Sequence, residues 1–308
     1  RGDGAVAALP AELFARFEPH AGEVDVALEL DGPPLPPLPE GAVPSFHQGE
    51  LRAHVCGTTL RLDDGEGALA VSDDGRRVYG ALQQGAREAA FVVERTLFAA
   101  VLVALRHHGL FHMHAAALVD PAGNSGLVVG SGGSGKSTTT LALLAAGASY
   151  LSDDAILLAA GTAAPKPVVG FPKAFHVGAR TLGAFPALLP FVGPPYRAFS
   201  DKRAFAPEQV YPGRLHRDAA LPRATLFPRV TDHAVTTIVP LTAADAHYHL
   251  VESSAFCLAA GMARREEHLA LLGVVASAAR AYEVALGADV LEAPAAVGAK
   301  LLRLLASR

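Results

Sequence analysis

The run Gly130-Ser-Gly-Gly-Ser-Gly-Lys-Ser constrains this chain more than any other stretch. It fits G-x-x-x-x-G-K-[ST] at every fixed position. Leu127-Val-Val reads as a buried strand before it, and Ser137–Ala146, closed by Gly147, reads as a helix after it. That order points to an α/β, P-loop core. The glycines let backbone N–H groups turn inward around phosphate oxygens, and the helix start adds partial positive charge. The cradle runs over Gly130, Ser131, Gly132, Gly133, Ser134, Gly135, Lys136, Ser137 and Thr138. Lys136 can reach the β- and γ-phosphates of ATP, and the Ser137 hydroxyl can ligate Mg²⁺.

Gly130, Gly132 and Gly135 also satisfy G-x-G-x-x-G, with Asp153 or Asp154 placed to hold a ribose as in a dinucleotide-dependent oxidoreductase. A Lys-Ser pair after the last Gly is superfluous there, so a nucleoside triphosphate is the better expectation. Asp153-Asp154 follow the strand-like Ser149–Leu151. Near a cation and phosphates, one carboxylate can hold Mg²⁺ while the other accepts the proton of an attacking hydroxyl. His112 and His114 alternate along Phe111–Val119, which reads as one strand, so they are expected on one face. Without a third ligand in sequence, such a pair makes a weak zinc site; a His beside phosphates can instead orient a carboxylate.

Around this motif, short alternating segments between residues 23 and 85 predict a small β-rich accessory unit over residues 1–85: Val24–Leu30, Leu51–Val55, Thr58–Leu62, Ala68–Ser72 and Arg77–Tyr79. The Pro-rich run Gly32–Pro39 reads as an extended loop. Ala86–His108 predicts a helix capped at Gly109, and the core domain is expected over residues 86–308. Pro165–Arg180 and Phe185–Phe199 read as loops, Val235–Val239 as a strand, and Glu266–Leu286 and Pro294–Ala306 as helices.

A net charge of −4 gives no basic excess for a nucleic-acid partner. The longest apolar run, Thr96–Leu105, is too short to span a membrane. Cys56 and Cys257 match no metal or disulfide framework, so a cytoplasmic setting is expected.

His114, the loop ending at Lys136-Ser137, and the Asp153-Asp154 pair form an ordered set. Over residues 110–160 it resembles the HPr serine kinase/phosphorylase family, whose core is related to phosphoenolpyruvate carboxykinase. Gly170-Phe-Pro-Lys-Ala-Phe and Asp201-Lys-Arg-Ala-Phe resemble the shorter HPr-kinase-like proteins. The resemblance implies an ATP/Mg²⁺-dependent kinase. Asp153 would activate the hydroxyl, Asp154 would stand beside the metal, and His114 would be a site partner. Lys173 and Arg203, with Arg214 behind them, are candidates to neutralise the transferred phosphate. The acceptor is expected to be a serine of a peptide, such as a lasso precursor, or of a small protein. HPr itself, a small molecule, or a regulatory nucleotide-binding role are the alternatives. HPr kinases assemble into oligomers, which extends the expectation to a homo-oligomer. The Glu-Ile-Arg-Gly-Leu-Gly-like stretch of the bifunctional enzyme does not follow the Asp pair. ATP versus GTP stays open.

Overall fold

The computed structural model describes residues 11, 13–18, 25–65, 67–82, 93–161, 168–197 and 200–306. The chain is mixed α/β and groups into two compact units. One is 1–112 with 255–269, the other 113–254 with 270–308. The expected boundary near residue 85 lies outside the described residues, as do positions 86–92 of the expected first helix.

In the first unit, β1 (Ala27–Glu29), β2 (Phe46–Gln48), β3 (Leu51–Cys56), β4 (Thr59–Asp63), β5 (Gly67–Val71) and β6 (Arg77–Leu82) form one sheet. Its order is β1-β6-β5-β4-β3-β2. Strands β2 to β6 are an antiparallel meander, and β1 joins β6 in parallel. Alternation drives it: Leu60 and Leu62 of β4 are buried between half-buried neighbours. A wide helical turn at Val93–Leu97 leads into α1 (Phe98–His107), which ends before Gly109. Buried inside this unit, the Arg106 guanidinium donates to the Ala263 carbonyl and meets His268 Nδ1 at 2.9 Å.

The expected single strand Phe111–Val119 is two strands, β7 (Leu110–Met113) and β8 (Ala115–Val119), with a bend at His114. His112 and His114 therefore do not share one strand face. His112 falls in the first unit, with Nδ1 3.7 Å from Cys257 Sγ, and His114 falls in the second.

The second unit continues with β9 (Ser125–Val129), α2 (Lys136–Ala145), β10 (Ser149–Ser152), β11 (Ile156–Ala159), β12 (Val168–Gly170) and β13 (Phe175–Val177). Then come α3 (Ala179–Ala184), β14 (Pro195–Arg197), β15 (Ser200–Phe205), α4 (Pro207–Val210), β16 (Pro222–Val230) and β17 (Thr237–Leu241). The chain closes with α5 (Ala243–Ser253), α6 (Arg265–Ala278), β18 (Arg280–Leu286), α7 (Asp289–Glu292) and α8 (Pro294–Ala306). Its main sheet has the order β10-β8-β9-β16-β18-β17. The ladder is parallel through β9-β16-β18 and antiparallel at both flanks. Helices α2 and α8 pack together over one face, burying Val128, Leu141, Leu226, Val284 and Leu301. Helix α5 contacts β9 and β18.

Two expectations change here, and one strand stands where none was expected. The helix expected over Glu266–Leu286 stops at Ala278, and Arg280–Leu286 is a strand paired with all of Ala224–Val230. The mixed run Arg-Ala-Tyr-Glu-Val-Ala-Leu fits either state, and the long-range pairing decides it. The central strand β16 has no alternation to reveal it and carries Pro228. The β9 ladder ends at Leu226, so Pro228 has a strand partner on the β18 side alone. The stretches read as loops hold β12, β13, β14 and the first two residues of α3; β13, β15 and β14 make a small antiparallel sheet. Among the described residues, no helix is long and apolar enough to cross a membrane.

Candidate functional site

Strand β9 is wholly buried and delivers the chain to Gly130. The loop then turns through Gly133 and Gly135, both at positive φ. At Gly135 (φ 98°) the backbone favours glycine, and a Cβ would also oblige the Leu286 Cδ1 methyl to move. Helix α2 begins at Lys136 with no side-chain cap and no acid in its first turn. Its leading N–H groups thus have no side-chain acceptor from the cap, and its positive end is not offset by an acid. The Ser134 hydroxyl is buried in the loop with no hydrogen-bond partner among the described residues.

Strand β10 runs antiparallel to β8 and ends where the acid pair begins. Ser152 fixes this exit. Its hydroxyl donates to the Phe171 carbonyl (2.9 Å) and accepts from the N–H groups of Asp154 (3.4 Å) and Ala155 (3.2 Å). The bend at His114 and the loop after Phe171 bring two more groups to the same place.

Asp154 is the hub. Its Oδ1 accepts from Lys136 Nζ at 2.6 Å and lies 3.2 Å from His114 Nδ1. Its Oδ2 lies 3.5 Å from Lys173 Nζ. Lys136 Nζ is also 3.0 Å from His114 Nε2. An ammonium only donates, so Nε2 must be the accepting nitrogen and Nδ1 must carry the proton toward Asp154. The surroundings of His114 also favour its neutral form. Burial pushes its pKa down, Asp154 opposes this, and Lys136, Lys173 and Lys202 add to it.

The two carboxyls are driven apart. Burial raises the Asp153 pKa to about 7, helped by the charge on Asp154 and opposed by Lys136 and Lys173. For Asp154, burial also works upward, but Lys136, Lys173 and His114 outweigh it and hold the group well below the usual carboxylate range. The environment thus keeps one acid ionised and poises its neighbour near neutrality. Asp153 is only 4% exposed, and its Oδ1 has no hydrogen-bond partner among the described residues.

Of the residues singled out in the sequence, His114, Lys136, Asp154 and Lys173 meet directly, and Asp153 joins them through charge. Arg203 donates to the Gly193 carbonyl at 3.4 Å. Its neighbour Lys202, on the other face of β15, is the strand residue whose charge His114 feels. Sequence reasoning passed over Lys202 because adjacent cations look alike until the strand's facing is known. Arg214 donates to the Gly147 carbonyl and closes the end of α2. Thr138 bonds its hydroxyl to that of Thr181 at 2.8 Å. Ser137 is half-buried at the start of α2, and no three His, Cys, Asp or Glu residues among those described gather as a metal cluster.

No protein-family model matches the chain, and no curated protein matches it in sequence.

Proposed function

We propose that this chain is a P-loop phosphotransferase of the HPr-kinase-like kind, moving the γ-phosphoryl group of ATP to a hydroxyl, most simply a serine of a peptide or small protein. The observation that carries the reading is Asp153: a buried acid with a free oxygen, poised near neutral pH, beside an ionised twin clamped by two lysines. That poise suits a general base working near neutral pH.

Asp153 takes the proton of the acceptor hydroxyl as that oxygen bonds to the γ-phosphorus. The bond from phosphorus to the bridging oxygen breaks, releasing nucleoside diphosphate. The loop amides and Lys136 offset charge on the moving group. His114, with its proton on Nδ1, orients Asp154. Lys173 holds the other oxygen of Asp154 and adds positive charge to the acceptor side.

The chemistry of the donors fits Mg²⁺. This ion takes one or two protein oxygens and fills its shell with water and phosphate, so a dedicated cluster is not required. Ser137 and Asp154 would hold it, and it would supply charge neutralisation of the phosphates.

A dinucleotide fold is disfavoured by topology. There the strand after the first helix lies directly beside the first strand, whereas β8 separates β10 from β9 here. Equilibrium binding of ATP-Mg²⁺ and of NADH tests the reading. Binding of ATP that Lys136→Ala abolishes supports it. Binding of NADH without ATP overturns it.

A further inference from the structure

A triphosphate cradle holds one end of a nucleotide, and the other end must rest somewhere. Residues 136 and 138 of a helix point roughly 200° apart about its axis. Lys136 faces Asp154 and His114. Thr138 faces the opposite side, where its hydroxyl is tied to Thr181. On that side the surface opens into a small, mainly apolar cleft of about 40 Å³, lined by Thr138, Arg180, Thr181, Val230, Leu286 and Leu291. Val230 and Leu286 are also the side chains that a Cβ on Gly135 would meet. The cleft is therefore continuous with the end of the glycine-rich loop.

We propose that this cleft takes the base of the bound nucleotide; the proposal rests on the nucleotide reading above. A triphosphate with its transferred end at Lys136 and Asp153 extends its nucleoside toward Thr138. The cleft is too small to enclose a purine, so it grips one edge of the ring between Val230, Leu286 and Leu291. Arg180 is exposed at the rim and offers a planar cation to the ring face. No carboxylate is among the lining residues. Guanine presents an N1–H and an amino group that need acceptors, and adenine presents a different edge; a cleft without an acid distinguishes them poorly. The base is held by its faces, so ATP and GTP bind within several-fold of each other, and both bind more tightly than inorganic triphosphate.

The test is calorimetric titration of the whole chain with Mg²⁺ and ATP, GTP or inorganic triphosphate, for wild type and Arg180→Ala, together with photolabelling by 8-azido-ATP. The expected result is a preference for ATP over triphosphate that falls roughly three- to tenfold in Arg180→Ala, with triphosphate binding unchanged and the label within 179–184 or 286–291. Arg180 is exposed, so the variant does not threaten the fold. If wild type binds triphosphate and ATP equally well, or the label falls outside both segments, the base subsite is wrong while the phosphate cradle stands. If wild type binds neither, the nucleotide reading itself fails, and this inference with it.

Discussion

Replacing Asp153 by asparagine changes stability in the pH-dependent way expected of a buried acid whose pKa is raised. In the folded chain Asp153 titrates near 7, against an ordinary value of 3.8. The folded state therefore holds the proton more tightly than the unfolded chain does. Between those two values stability falls as pH rises, and above 7 the loss is complete. Taking a folded value of about 7 and an ordinary unfolded carboxyl, raising the pH from 5 to 8 costs wild type about 2–3 kcal/mol through this one group. Asp154 is ionised throughout that window. The amide introduced by Asp153→Asn carries no charge at any pH. Any packing or hydrogen-bond penalty of that amide is the same at both pH values and cancels in the comparison. Urea denaturation of both proteins at pH 5 and pH 8 measures it. The variant should gain about 2–3 kcal/mol relative to wild type between the two conditions while losing phosphoryl transfer. A stability difference that stays constant within about 0.5 kcal/mol would refute the claim that Asp153 is poised by burial.

Two further outcomes follow from the same geometry. The pH profile of kcat/KM should rise tenfold per pH unit below about 7 and level off above it, as the ionised Asp153 is the active form; a flat profile from pH 5 to 8 would remove its role as base. Gly298→Ala should destabilise the second unit by about 1–3 kcal/mol in thermal or urea unfolding. A Cβ at 298 would lie inside the backbone of Ala142 where α8 crosses α2, and neither helix can yield without disturbing the core beneath; an unchanged midpoint would show that the crossing is looser than described.

The sequence displayed the parts of the site whose chemistry is local. Gly130 to Ser137 sit in consecutive positions, the acid pair follows one helix later, and His114 lies in the strand-like stretch Phe111–Val119 before the loop. What lay hidden is long-range. Nothing near Lys173 or Lys202 in the chain says which loop folds over Asp154 or which face of β15 turns toward His114. The strand Arg280–Leu286 was indistinguishable from more helix because its apolar residues serve either period, and only its ladder with Pro222–Val230 settles the matter. Pro222 and Pro228 hid the partner strand as well, since proline argues against a central strand unless one side is known to be unpaired. The divergence of the two Asp titrations depends on burial and on two lysines, and so exists only in the folded chain.

The most direct measurement is transfer of labelled phosphate from ATP with Mg²⁺ to serine-containing peptides and HPr, with acceptor-free controls. Wild type should label an acceptor, and Lys136→Ala and Asp153→Asn should each abolish the label, with Asp153→Asn still binding ATP. Labelling that survives Asp153→Asn would contradict the account of this site.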